Sequence, residues 1–360
     1  MRVAYKIACS VLATIPVVAL AACSSSSGSS AGAMGLSGPP PEVNSIVVDA
    51  VPTADEAGLY IAQDKGFFKQ QGLTVKIVPI LGGEFGMGDL QTSKAQIIVG
   101  NYVSFILAQI DGKYAAPQLN PHAAPNPTLP INMRIIADGS QMQPGNQAVY
   151  VMPKSRIKTV ADLAKYHASV AINSPNNVGQ VLLGSLLREN GLDLGSIHQP
   201  VDTFPDMIKY LAEGKIDAAW LPEPFGTIAQ ETIGAVPLAD FDQGSLQDFP
   251  IGAYVGSAQW VTAHPNTVAA FLRALEEGQQ VADTNRAAVE AGIENPDNTG
   301  PFAAQPLQAA TMTIDTYPLN MDVPVMQRVS DSMFEFGEEK TLHAPYQIIN
   351  MIQPEPGMIR

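Results

Sequence analysis

The chain has 360 residues, 20 of them basic and 34 acidic, for a formal net charge of −14. Such acidity speaks against nucleic acid or an anionic lipid surface as a partner. The only two cysteines, Cys9 and Cys23, lie near the start, so the body of the chain has no thiol for a disulfide, a nucleophile or a cysteine metal site, while the length suffices for two domains.

Arg2 and Lys6 precede a nearly unbroken apolar run from Ile7 to Leu20. A run of about 14 residues falls short of the ~20 needed to span a membrane, and a charged start followed by a short apolar run describes an export signal, here 1–22. Leu20-Ala21-Ala22-Cys23 resembles the bacterial lipobox, whose cysteine becomes the lipidated first residue of the mature protein. The plainer alternative is an ordinary cleaved signal with an incidental cysteine. The Ser/Gly/Ala/Pro-rich stretch that follows, to residue 42, favours a flexible tether holding a domain off a membrane.

Order is expected from Val43. Ser45–Ala50 reads as a buried strand, and Thr53-Ala54-Asp55-Glu56 has the spacing of a capping box opening a helix to Lys65, with Gly66 as its stop. Leu73–Val78 alternates and reads as a second strand, making a β-α-β unit. A short helix ends near Ser93, Gln96–Gly100 is a strand, and Asn101 caps a helix to Gln109. Residues 114–131 form an irregular excursion. Strands follow at Met133–Ala137 and Ala148–Met152. A second series runs through a Thr159-x-x-Asp162 box, a strand at Ser169–Ile172, a helix capped by Asn176 or Asn177 and ended by Gly191, a helix capped by Thr203 and stopped by Gly214, and a strand at Ile216–Leu221. A strand containing Tyr254-Val255 returns to the first series. Helices are expected at 265–284, 306–316 and 323–336. Strands alternating with helices in two series imply an α/β fold of two lobes, 43–145 plus 254–360 and 146–253, with crossings near 143–150 and 250–256.

Two stretches carry a family resemblance. Ala57 to Leu73, with Gly66-Phe67-Phe68 at its heart, and Gly214-Lys215-Ile216-Asp217-Ala218 followed by Glu223-Pro224, are similar to segments of solute-binding proteins for nitrate, taurine, alkanesulfonates and thiamine precursors. The resemblance spans roughly 45–285 and implies a two-lobed fold of the type II periplasmic-binding kind. It further implies capture of a small solute between the lobes, and an ABC permease as membrane partner. Read as structure alone, Gly-Phe-Phe is a helix end packed on a sheet.

In open α/β sheets ligands sit beyond the carboxyl ends of strands. That rule selects Thr53 and Glu56, Gly83 and Glu84, Asn101 and Tyr102, Asn173, Ser174 and Asn177, and Trp220 and Glu223 as ligand-binding candidates, with Tyr254 as a further stacking surface. Each has a structural alternative: a plain turn at Gly83, a helix cap at Asn101, core packing for the aromatics, a structural carboxylate at Glu223. Helix N-termini at several of these loops suit an anionic group, yet these loops hold Asp55, Glu56, Glu84 and Glu223 and no Lys or Arg. An organic ligand, sulfonate-like or a planar nitrogen heterocycle, is therefore expected over a bare anion. Trp220→Ala is expected to weaken binding with little loss of fold.

No paired histidines at zinc spacing, Gly-x-Ser-x-Gly elbow or phosphate loop occurs. The sequence thus points to a monomeric binding protein rather than an enzyme, with no cofactor, no metal and no catalytic residue, lipid-anchored through Cys23 on the outer face of the cell membrane. A sensor lipoprotein signalling to a membrane partner fits equally well. An enzymatic relative, a pyrimidine synthase with a cysteine-rich motif, fits poorly in a body without cysteine.

Overall fold

The computed structural model describes residues 38–111, 131–175, 177–336 and 343–353. The expected signal segment, Cys23, the tether as far as residue 37, Asn176 and nearly all of the 114–131 excursion lie outside the described residues.

The chain opens with β1 Ser45–Ala50, a 3-10 turn at Ala54–Glu56, α1 Ala57–Asp64, α2 Phe67–Gln70 and β2 Thr74–Pro79. Then come α3 Gly83–Gln91, β3 Ile97–Asn101, α4 Tyr102–Asp111 and β4 Met133–Gln141. A second run comprises β5 Gln147–Val151, α5 Val160–Lys165, β6 Val170–Ala171, α6 Val178–Glu189, α7 Phe204–Ala212, β7 Ala218–Pro222, α8 Phe225–Ile233 and β8 Val236–Asp240. The chain finishes with β9 Pro250–Ser257, α9 Ala258–Ala263, α10 Pro265–Thr284, α11 Arg286–Glu294, α12 Pro296–Thr299, α13 Pro306–Thr311 and α14 Val323–Glu335.

Two sheets result, of order β2-β1-β3-β9-β4 and β6-β7-β5-β8. This is the two-lobed α/β architecture expected, with the chain crossing between sheets at 142–146 and 241–249, the second crossing slightly earlier than read from sequence. β1 pairs parallel with β2 from Ser45↔Thr74 to Ala50↔Pro79, and parallel with β3. β9 enters between β3 and β4 antiparallel to both. In the second sheet β6 and β7 are parallel, and β5 runs antiparallel to its neighbours. Antiparallel insertion has a geometric consequence: the amino ends of β9 and β5 lie at the same rims as the carboxyl ends of the parallel strands, shown by the pairs Asn101↔Gly252 and Gln147↔Pro222.

Several local signals act as their chemistry dictates. Thr159 and Asp162 form a reciprocal capping box on α5, Asn177 accepts from the Gly179 amide to cap α6, and Thr203 accepts from the Asp206 amide at α7. Gly66, Gly191 and Gly214 take the positive φ that ends a helix without a Cβ penalty. Others differ from expectation. Thr53 caps nothing with its side chain, which turns to two carboxylates instead. β4 continues past Ala137 to Gln141, α13 ends at Thr311, and α8, β8 and α11 are not among the expected elements. Residues 38–42, read as tether, already touch the body: the Glu42 carboxylate accepts from the amides of Asn266 (2.9 Å) and Thr267 (2.8 Å) at the start of α10, where an anion satisfies free helix donors.

The first sheet is covered by α1 and α10 around a core that includes Leu59, Tyr60, Phe68, Phe271 and Tyr317. The two helices meet through glycine. A Cβ on Gly278 would run into the carbonyl oxygen of Gly58 and lie 2.9 Å from the Ala62 methyl. Gly278→Ala is therefore expected to destabilise the protein by roughly 1–3 kcal/mol in urea unfolding, the usual cost of overpacking. By contrast Gly184→Ala, where the added methyl meets nothing nearer than the Phe336 ring at 3.5 Å, is expected to stabilise α6 by up to about 1 kcal/mol through helix propensity.

Candidate functional site

The two rims face each other across a cavity of about 30 Å³, room for about two water molecules. The first sheet contributes Val51, Thr53, Asp55 and Glu56 after β1, Gly82 before α3, Gly100 and Asn101 at the end of β3, and Ile251 and Gly252 from β9. The second contributes Gln147 from β5, Asn173 after β6, Asn177 and Val178 at the start of α6, Phe204 of α7, and Trp220 and Pro222 of β7. Direct hydrogen bonds tie the rims together. The Ala54 amide donates to the Glu223 carbonyl at 2.9 Å, and the Asn173 side-chain amide donates to the Leu81 carbonyl at 3.2 Å. A solute larger than the cavity enters only when these contacts part.

Of the residues selected from sequence, Thr53, Glu56, Asn101, Asn173, Asn177 and Trp220 line the cavity. The other five do not. Gly83 packs its backbone against Gly100 of β3, where a Cβ on Gly100 would lie 2.9 Å from the Gly83 Cα, while Gly82 borders the cavity. Glu84 is buried beside Ser104 and Ser174. Tyr102 turns inward, its hydroxyl donating to Asp138 at 2.8 Å. Ser174 sits behind Asn173 and donates to the Pro175 carbonyl. Glu223 is structural through its side chain: it accepts from the Thr227 amide (3.0 Å) and hydroxyl (2.9 Å), holding the first turn of α8. Tyr254 packs on Phe271 in the first core.

Gln147, Phe204, Ile251 and Gly252 escaped the sequence reading. The rule of carboxyl ends points only to the ends of parallel strands, and Gln147, Ile251 and Gly252 lie at the amino ends of inserted antiparallel strands. Gln147 is central: its side-chain oxygen accepts from the Trp220 indole at 3.1 Å, and its side chain lies near enough to Asp55 to favour the ionised carboxyl. Trp220 is held further by Phe204 edge-on at 5.6 Å and by Gly179, whose lack of a side chain leaves room for the ring. Only 3% of Trp220 is exposed. Its truncation thus removes core packing, at a cost of about 3–5 kcal/mol, which corrects the expectation that Trp220→Ala spares the fold.

Asn101 combines two roles. Its side-chain oxygen accepts from the Ser104 amide at 2.9 Å, capping α4, while the amide nitrogen of this 8%-exposed residue has no protein partner and borders the cavity. Thr53 has an unusual position. Its hydroxyl oxygen lies 2.8 Å from an Asp55 carboxylate oxygen and 2.6 Å from a Glu56 oxygen. One hydroxyl hydrogen serves one of these contacts, so the other requires a proton on a carboxyl group.

The carboxyl groups extend beyond the wall. Asp55 faces the cavity on one side and Asp315 on the other. Asp315 accepts from the Asn146 side chain on the first crossing segment, and its second oxygen is buried without a partner. Burial, reinforced by the charge of Asp55, raises the Asp315 carboxyl well above the ordinary carboxylate range, and burial with the same neighbour does so for Glu56. Burial also lifts Glu223 to about 7. Among the described residues, no lysine, arginine or histidine lines the cavity. Arg286 borders the outer groove that Asp315 also reaches, but its donors go to Glu290 and to the carbonyls of residues 309, 310 and 312.

A family model described as the NMT1-like family matches residues 39–293. No curated protein sequence matches the chain. Among solved structures, the alkanesulfonate-binding protein of Xanthomonas axonopodis pv. citri bound to MOPS is similar at 15% identity and a TM-score of 0.67, over 87% of this chain and 99% of that one. The periplasmic nitrate-binding protein of Synechocystis PCC 6803 is similar at 19% identity and a TM-score of 0.60, over 73% of this chain and 69% of that one. A desulfurization enzyme is similar at 15% identity and a TM-score of 0.56, over 87% and 97%. At these identities the likeness is one of fold, the periplasmic binding fold.

The buried acids make stability depend on pH. Burial raises Asp49, Asp138 and Glu223 to about 7, against ordinary values near 4. The folded state therefore binds more protons than the unfolded chain between about pH 4 and pH 7, and stability falls as pH rises through that window. The melting temperature is expected to be higher at about pH 5.5 than at about pH 8, and Glu223→Gln is expected to flatten the dependence in scanning calorimetry.

Proposed function

The chain belongs to the NMT1-like family, and from that membership we propose that it is an extracytoplasmic solute-binding lipoprotein that captures a small organic, nitrogen-containing solute between its rims and delivers it to an ABC importer. The observation that carries this reading is the cavity itself. It lies between both sheets, is lined by side-chain amides, carboxylates and two aromatic rings, and among the described residues is free of histidine, cysteine and cationic side chains. Such a wall supplies hydrogen-bonding donors and acceptors, with an apolar flank, and no nucleophile paired with a base. It suits recognition without chemical change, as in concave sites that combine apolar lining with a few convergent polar groups. The structural relatives named for alkanesulfonate and nitrate binding support capture of a solute. A wall bearing Asp55 and Glu56 disfavours a bare anion such as nitrate.

Capture works by differential contact. A solute that bridges both rims favours the closed arrangement by as much as it binds that arrangement better than the open one. Reversing a closed population from 1:99 to 99:1 takes about 5.5 kcal/mol, within the ~8 kcal/mol of a micromolar ligand.

Native mass spectrometry of the purified protein is expected to show one small molecule bound per chain. Asn101→Ser preserves the cap on α4, since serine caps well, but removes the free amide donor. It is expected to weaken binding about tenfold, within the range for one lost hydrogen bond, with an unchanged melting temperature. No bound molecule, and no hit in a calorimetric panel of organic solutes, would end the binding reading.

In the same proposal Cys23, at the end of the lipobox-like Leu20-Ala21-Ala22-Cys23, carries the lipid anchor after removal of 1–22. Cys23→Ser is expected to move the protein from the membrane fraction to the soluble extracytoplasmic fraction on cell fractionation.

A further inference from the structure

We infer that the solute brings a cationic nitrogen, such as an ammonium, an amidinium or a protonated ring nitrogen, to the Asp55–Glu56 wall of the cavity, and a hydrogen-bond acceptor to Asn101. The inference rests on the solute-binding reading above and names the class of solute.

Three independent observations lead to it. The first is charge. Among the described residues, Asp55 and Glu56 are the only ionisable side chains on the cavity wall, and the groups packed behind them are again acids. Asp315 comes from the segment after α13 and Glu223 from the start of α8, both acting electrostatically on this cluster. The phenol of Tyr317 lies alongside, donating to the Ala54 carbonyl at 2.8 Å, and Arg286 at the outer groove is engaged elsewhere.

The second is hydrogen bookkeeping. Thr53 has one hydroxyl hydrogen for two carboxylate contacts, at 2.8 and 2.6 Å. Asp315 has one oxygen that is buried and unpartnered next to Asp55. Both sites are short of hydrogens, so closed rims without a cation must hold protons there. A cationic nitrogen brings the positive charge and several N–H donors at once, and takes over that role at Asp55 and Glu56, the two acids that line the cavity.

The third is the opposite polarity of Asn101. Its amide nitrogen is a donor with no protein partner, on a residue that lines the same cavity. Such a free donor on the wall selects a solute with an acceptor at that end. The solute is thus bipolar, with Trp220 and Phe204 flanking it. An aromatic face adds to the attraction for a cation.

The test uses three planar probes of nearly equal size that differ in charge: acetamidinium, acetamide and acetate. Each is titrated calorimetrically into the intact protein near neutral pH. Acetamidinium is expected to bind at least about tenfold more tightly than acetamide, with acetate showing no binding, because only the first satisfies a carboxylate with charge-assisted donors. Its apparent enthalpy is expected to change with the ionisation enthalpy of the buffer in the sense of proton release. Asp55→Asn, and independently Glu56→Gln, are expected to shrink the preference for acetamidinium over acetamide to less than about threefold. Equal or tighter binding of acetamide or acetate overturns the inference, as does an absence of binding by all three. A co-purified solute that proves neutral or anionic overturns it too, while leaving the solute-binding reading intact. Absence of any bound solute removes both.

Discussion

Four carboxyl groups, those of Asp55, Glu56, Glu223 and Asp315, are gathered at the seam between the two sheets without a cationic side chain on the cavity wall. Burying one ionised carboxylate is expensive, and burying several side by side is more so, because each raises the cost of ionising the next. The arrangement is tolerable only because backbone and side-chain donors take part of the charge: the Thr227 amide and hydroxyl for Glu223, the Asn146 side chain for Asp315, Gln147 for Asp55. What these donors leave uncompensated must come from protons or from a guest. Buried polar groups retained in this way commonly mark function rather than stability.

The seam is also where the chain's connections concentrate. The first crossing segment, 142–146, carries Asn146 and precedes Gln147, so one short stretch serves both as a link between sheets and as part of the cavity wall. The strand before it, β4, is extended by the C-terminal segment, since Gln141 and Thr316 exchange backbone hydrogen bonds of 2.9 and 3.2 Å. That pairing places Asp315 against Asp55 from outside the cavity. The last helix, α14, touches both halves of the molecule: Arg328 donates to the carbonyls of Ser245, Gln247 and Asp248 on the second crossing, while Met326, Val329 and Met333 fill the shared core. Any parting of the rims must therefore work against the C-terminal segment as well as the direct rim contacts.

Much of the fold was legible because it rests on local chemistry. Alternation and β-branched residues mark β1 and β2, Thr159 and Thr203 mark helix starts, and Gly66 and Gly214 mark ends. The site was legible only in part. Thr53, Asn101, Asn173, Asn177 and Trp220 follow strands whose carboxyl ends a topological rule finds. Gln147 and Gly252 belong to antiparallel strands, and nothing local says which way a strand runs in its sheet. The side chains of Tyr102 and Glu84 belong to the right loops yet turn away from the cavity, because the first residues of a helix point in directions set by the helix axis rather than by the loop's position.

The sequence by itself determined the α/β alternation, most helix caps and stops, and the acidic, thiol-free character of the body. Those properties depend on neighbours within a few residues or on composition alone. Only the tertiary structure decided that Asp55 meets Asp315, some 260 positions later in the chain, that Glu223 caps a helix, and that Thr53 stands between two acids. Such contacts are fixed by how two sheets and a C-terminal segment close on one another, and a side chain's partner across that closure leaves no trace in its own surroundings along the chain.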